Sequence, residues 1–300
     1  MTAIPVLRSN SRADLLALPS YLFTFHPTES VVVIAMKGNV VNFSARLDAD
    51  WFLTHFDQAA DQVLNAAANI GRCDFFILGY SQDPELASIS VTEAADIVGR
   101  SRVAEALVTD GTRYWSLIDG EGPFPFDPDC STITAQAVYS GVNISASREE
   151  AIAPVTEWEP PDPTDVAAVM DRLTSLAPEE SLDLLRSLAE AEPAVTGRDA
   201  LTLACLLQDE DHAGAIIARI NTSNAECFWG TLAAARRVAP HLMEATVVAL
   251  LGVASWLAGR GAQATACIEQ MASLDPRHPI GAMLADVHQK GIPPQKWDED

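Results

Sequence analysis

The stretch LPSYLFTFHPTESVVVIAMKGNVVNFSARLD, residues 18–48, decides how the chain begins to fold. Residues 31–36 form a continuous apolar run rich in β-branched side chains, which suits a strand covered on both faces. Lys37-Gly38-Asn39 supplies turn chemistry. The next run alternates, with Val41, Phe43, Ala45 and Leu47 facing one way and Asn42, Ser44, Arg46 and Asp48 the other. Two such runs around one turn predict a β-hairpin. Upstream, Ser11-x-x-Asp14 resembles a capping box and predicts a short helix through Leu18, which Pro19 breaks or restarts.

Downstream, a helix is expected over 50–70, a second buried-type strand over 73–80, a helix over 93–108 capped by Thr92, and a strand over 112–118. Strand and helix alternating in this order argue for an α/β layer with parallel pairing between the later strands. The opening hairpin makes the sheet mixed. The segment DGEGPFPFDP, 119–128, reads as a loop, followed by a short helix over 132–140 and an extended piece over 142–145. Four prolines within 152–164 stop regular structure and mark a linker.

Beyond the linker the pattern is helical, with helices near 165–176, 179–191, 199–208, 211–220, 223–238, 242–258, 262–274 and 279–290. Leu251-Gly252, Gly259, Ala264 and Asp275-Pro276 match the spacing of a tetratricopeptide unit, although Val248 and Ser255 replace its aromatic positions. One unit makes a helical hairpin and no solenoid. The expected organisation is an α/β domain over 1–150, a Pro-rich linker over 151–164, and an all-α helical-hairpin region over 165–300.

Apolar residues make up 48% of the chain and charged residues 20%, a globular composition. The net charge is −22, with 9 basic and 19 acidic residues in the first half and 10 and 22 in the second. A field of that sign repels phosphate backbones and anionic lipid, so neither nucleic acid nor membrane is an expected partner. Cys73, Cys130, Cys205, Cys227 and Cys267 lie far apart without a CxxC pair, which is neither a disulfide framework nor a zinc site. Cys205, Cys227 and Cys267 sit in helix-like apolar contexts and read as small buried hydrophobes. The N-terminal run lacks the apolar core of a signal peptide, and the longest uncharged apolar run, 245–258, is too short to span a bilayer. The expected compartment is the cytoplasm.

No GxGxxG, Walker A, HExxH or EF-hand pattern occurs. Gly79-Tyr80-Ser81 is half of a nucleophile elbow, but the second Gly is missing, and a turn is the stronger reading of Ser81. His26 precedes Pro27, and Thr28, Glu29 and Ser30 lead into a central strand. Either His26 and Glu29 form an acid/base cluster with the hydroxyls of Thr28 and Ser30, or His26 anchors the turn by a hydrogen bond while Thr28 and Ser30 cap loose amides. Arg46 and Asp48 either hold an anionic ligand or pair with one another. Asp119, Glu121, Asp127 and Asp129 have the hard oxygens that divalent cations take, but no known loop spacing, so a solvated loop is expected and no metal site.

Tyr21, Leu22, Phe25, His26, Pro27 and Ser30, then Arg46 and Asp48, then 147–150 (Ser-Arg-Glu-Glu) resemble the signature of a widespread actinobacterial family of uncharacterised proteins, a domain of unknown function. Trp256, Leu257, Gly259, Asp275 and Pro276 look like the family's C-terminal part. Many members of the family that the chain resembles carry a Cys pair before the Glu-Gly of the mid-chain loop, whereas Glu121-Gly122 here has only Cys130 after it, which weakens any shared thiol or metal role. The resemblance implies an identity and no activity. Missing catalytic motifs favour a non-catalytic binding protein, taking a small ligand at the strand ends or a protein partner through the helical region. The alternative is a hydrolase or transferase using His26 with Glu29 or Asp48 as acid and base and Arg46 as an anion clamp. No motif specifies a cofactor or an oligomeric state.

Overall fold

The computed structural model describes residues 11–38, 40–139 and 144–299. Asn39 of the turn, the N-terminal run to residue 10, and residues 142 and 143 of the expected extended piece lie outside the described residues. The chain divides into two compact units, Met1–Ala151 with Gln289–Ile292, and Ile152–His288 with Pro293–Asp300.

In the first unit, α1 (Arg12–Phe23) starts where Ser11 Oγ accepts from Asp14 N at 3.0 Å. It runs through Pro19 where a break was expected. An internal proline costs a helix about 3 kcal/mol, but Leu15, Leu16, Ala17, Leu18 and Pro19 are all buried, and that burial offsets it. The hairpin forms as read, from β1 (Ser30–Lys37) and β2 (Val40–Asp48). A bulge interrupts it: Ala35 pairs with Phe43 and Met36 with Val41, so Asn42 is the extra residue. Val41 therefore turns to the face opposite Phe43, Ala45 and Leu47, which corrects the single alternating face.

The helix expected over 50–70 is two pieces, α2 (Trp51–Thr54) and α3 (Phe56–Ile70), broken at His55. After β3 (Asp74–Tyr80), α4 spans Pro84–Val98 and β4 spans Val103–Thr109, so the helix expected over 93–108 is displaced. Asp83 is its cap, accepting from Glu85 N and Leu86 N, and Pro84 takes the first turn, where no N–H is needed. β5 (Arg113–Ser116) and β6 (Phe124–Pro125) complete a mixed sheet of order β2-β1-β3-β4-β5-β6, in which β3 and β4 are parallel. Next come α5 (Thr132–Tyr139) and α6 (Arg148–Thr156), whose residues from Ile152 on belong to the second unit. Val31, Val33, Phe75, Ile77 and Val108 pack with α3 and α4, while Val32, Ile34, Leu78 and Leu107 pack with α1 and α5, so the central strands are covered on both faces.

The second unit is helical: α7 (Pro163–Thr174), α8 (Pro178–Ala189), α9 (Gly197–Leu206), α10 (Glu210–Ile217), α11 (Ala225–Arg237), α12 (Glu244–Leu257), α13 (Gly261–Leu274) and α14 (Pro279–Gln289). Of the prolines expected to stop regular structure, Pro154 lies inside α6 and Pro163 opens α7. Between them the chain is pinned to α11 and its end, with Glu159 N donating to Arg237 O at 2.7 Å and Trp158 Nε1 to Ala239 O at 2.8 Å. The centre is α12, where Val247 to Leu251, Val253 and Ala254 are fully buried. Gly252 of the tetratricopeptide-like pair lets α13 and α14 approach, because a Cβ there would lie 2.9 Å from Cys267 Cβ and collide with Leu284.

Candidate functional site

Pairing register brings four strand termini to one end of the sheet, with Ser30 opposite Asp48 and Tyr80, and Tyr80 opposite Thr109. Of the five residues singled out from sequence, Glu29, Ser30, Arg46 and Asp48 lie at this rim while His26 is held against α1, and each already has structural work or is shielded. His26 is half-buried, and its Nδ1 lies 3.0 Å from Ser20 Oγ of α1. Glu29 sits in the left-handed region at φ 43°. Its carboxylate accepts from Ser81 Oγ at 2.6 Å and Gln82 N at 2.9 Å, and its carbonyl accepts from Ala49 N at 3.1 Å. Ser30 is fully buried, and its Oγ has no hydrogen-bond partner among the described residues. Arg46 Nη1 meets Asp48 Oδ1 at 2.8 Å, and Nη2 donates to Thr28 O at 3.2 Å. Ser81 Oγ also accepts from Asp83 N at 3.0 Å, so it shapes the turn into α4.

A third part of the signature joins the rim. Ser145 N donates to Thr24 O at 2.7 Å and Ser145 bridges to Phe25. Ser147 Oγ then accepts from Glu150 N at 3.2 Å, and Glu150 Oε2 accepts from Ala146 N at 2.8 Å, so the Ser-Arg-Glu-Glu segment is the start of α6. Hydrogen bonds from its own backbone N–H and from Ser147 hold the Glu149 carboxyl below its usual range, with the charges of Arg148 and Arg46 adding to the effect. Segments distant in sequence converge here, and most of their polar groups bind one another.

The acidic loop residues do not gather around a cation site. Asp119, Glu121 and Glu105 converge on the guanidinium of Arg12, with Glu105 at 2.7 Å and Glu121 at 3.1 Å. Hydrogen bonds to Asp119 and Glu105 raise the Arg12 pKa further above its usual value. Asp127 instead accepts from Asp129 N at 3.0 Å and Cys130 Sγ at 3.1 Å. Among the described residues no group of three or more His, Cys, Asp or Glu is placed to hold a metal ion. Cys205 and Cys267 are buried, and burial pushes their thiols up to about 11 and about 12, whereas Cys227 is half-buried.

A cavity of about 500 Å³, widely open to solvent, lies elsewhere in the α/β unit, between the start of α4 and β5. Pro84, Glu85, Ser88, Trp115, Leu117 and Glu121 line it. The loop that follows Glu121 is held closely on β5: a Cβ on Gly122 (φ 125°) would lie 2.9 Å from Tyr114 O and 3.0 Å from Trp115 Cα, so only glycine lets the chain pass there. Ser88 Oγ donates to Pro84 O at 2.6 Å, leaving its lone pairs available. Of these residues only Glu121 was singled out from sequence. The available signal was Asp83-Pro84 as a cap and first helical residue, which would have put Glu85 and Ser88 on the first turns of a helix. A second cavity, of about 530 Å³, lies in the helical unit, lined among others by Glu190, Glu192, Arg219, Glu226 and Cys227. Neither cavity includes a rim residue.

Among the described residues no helix is long and apolar enough to cross a membrane. No curated protein and no solved structure matches the chain. The family described as a domain of unknown function, DUF4192, matches residues 13–295, and the chain belongs to that family.

Proposed function

We propose that the protein is a non-catalytic small-ligand-binding protein whose ligand sits in the cavity between α4 and β5. The cavity itself carries this reading: about 500 Å³ with an apolar wall of Trp115, Leu117 and Pro84 and a few polar groups, within the range of ligand sites. A non-catalytic role is supported by the engagement of Glu29 and Ser81 with one another and by the shielding of Ser30. The five cysteines are free thiols, which supports a reducing cytoplasm. The signature supports an actinobacterial origin. A thermal-shift screen of a metabolite library tests the reading, with wild type beside Ser88→Leu, which places a bulky apolar side chain in the cavity. A compound that raises the Tm of wild type by several degrees and leaves Ser88→Leu unmoved is the expected result. Compounds that stabilise both proteins equally would place the site elsewhere.

A second reading is favoured by the convergence of the signature segments at the rim: an enzyme, hydrolase or transferase, with His26 and Asp48 as acid and base and Arg46 on an anion. The same screen on His26→Ala and Arg46→Ala tests it, since a ligand response lost in both variants and kept in Ser88→Leu would move the site to the rim. A protein partner on the helical unit is supported by the groove at Glu190 and Cys227, and pull-down with and without Glu192→Lys would test it.

A further inference from the structure

We infer that the α4–β5 cavity takes a small organic cation, an ammonium whose charge meets Glu85 and whose alkyl groups lie against Trp115. The inference rests on the reading of this cavity as the ligand site and adds the chemistry of its occupant. It comes from the charges around the cavity. Arg12 is one cation facing three carboxylates, Glu105, Asp119 and Glu121, so that network keeps an excess of negative charge at the Glu121 wall. Arg113 is matched by Asp110, with Nη2 2.9 Å from Oδ2. Glu85, exposed on the first turn of α4, has no ion-pair partner among the described residues. The partial positive charge at the start of α4 is already met by Asp83, which accepts from Glu85 N at 3.0 Å and Leu86 N at 3.3 Å.

An anionic ligand would therefore meet uncompensated carboxylate, and a neutral one would gain nothing from the charge of Glu85. A cation gains from both Glu85 and the electron-rich face of an indole. Trp115 already attracts one cation, the Arg113 guanidinium, 5.6 Å from its ring centre. At long range the net charge of −22 raises the local concentration of cations. Leu117 and Pro84 complete an apolar wall, which suits alkylated ammonium better than a hydrated metal ion.

Titration calorimetry of the full chain with choline and with its uncharged isostere, 3,3-dimethylbutan-1-ol, tests the inference. Choline is expected to bind saturably and about tenfold or more tighter than the isostere, the size of one cation–π contact with a partly screened carboxylate. Glu85→Gln, at an exposed position that leaves the fold intact, is expected to erase most of that difference, and Ser88→Leu to abolish binding. Equal affinity for both compounds, lost in Ser88→Leu, would overturn the cation while leaving the cavity as the ligand site. Absence of choline binding, or binding unchanged by both substitutions, would overturn the inference as well.

Discussion

Glu29 holds the entry of β1 against the exit of β3 with one carboxylate, and it does so from a left-handed backbone that a non-glycine residue adopts at a cost of about 1–3 kcal/mol. Three hydrogen bonds from Ser81 Oγ, Gln82 N and Ala49 N hold it there. If this clamp is the role of the pair, Glu29→Ala and Ser81→Ala should each lower unfolding free energy by about 1–2 kcal/mol, discounted for the exposure of Glu29. The double variant should lose clearly less than the sum, and urea denaturation of the four proteins measures the coupling. Asp110 offers a pH test. Burial pushes its carboxyl up, but hydrogen bonds from Thr112 N, Thr112 Oγ1, Arg113 N and the Arg113 guanidinium outweigh that and bring it down to about 2. A depressed carboxyl contributes stability that is complete above its unfolded value of about 3.9 and is lost as pH falls through the folded value. Wild type should therefore lose stability between about pH 4 and pH 2 more steeply than Asp110→Asn, and acid-induced loss of circular dichroism would show the two curves converging at the low end.

Helices of the second unit contain two glycines in opposite situations. Gly252 lies in the middle of α12 with Cys267 and Leu284 against it, whereas Gly214 lies exposed in α10 with nothing within 4 Å of where its Cβ would be. Gly252→Ala should destabilise by about 1–3 kcal/mol through overpacking, and Gly214→Ala should stabilise by about 0.5–1 kcal/mol through helix propensity. Opposite shifts of Tm for the same substitution are the expected outcome. This unit is legible in the sequence because its apolar spacing is helical throughout and its connections are short, so the expected helices fall close to the observed ones. The α/β unit is legible where patterns are local, as in the hairpin and in residues 73–80. Legibility fails where one residue changes the register of its neighbours. Asn42 is such a residue, because a bulge leaves no mark in an alternating run, and it reverses the face of Val41. Asp83-Pro84 is another such point, since the pair serves equally as a breaker and as a cap with its first helical residue, and only packing of Ala87, Val91 and Ala94 on the sheet decides for the latter. The rim is legible as a cluster because its residues are close in sequence or on paired strands. The cavity is not, because Glu85 and Trp115 come to line one site only when α4 packs on β3 and β4 and β5 pairs beside β4.

Each unit is built around cores of its own. Val33, Phe75 and Ile77 with α3 and α4 fill one layer of the α/β unit, and Leu203, Phe228, Leu232 and Val248 lie at the heart of the helical unit. Evenly spread acidity does not favour either unit, so the division follows packing and not charge. Buried apolar clusters confined to one stretch of chain open as cooperative units of their own, which makes the division testable through amide exchange. Leu203 is fully buried, and Leu203→Ala should cost the helical unit about 2–5 kcal/mol through lost burial and the cavity left behind. Ile77 is equally buried in the sheet, and Ile77→Ala should cost the α/β unit a similar amount. Hydrogen exchange followed by mass spectrometry should then show amides of α9, α11 and α12 exchanging at least about tenfold faster in Leu203→Ala, with β1, β3 and β4 unchanged. Ile77→Ala should give the converse. If either substitution accelerated exchange in both units by the same factor, the two cores would be opening together, and the chain would behave as one cooperative fold.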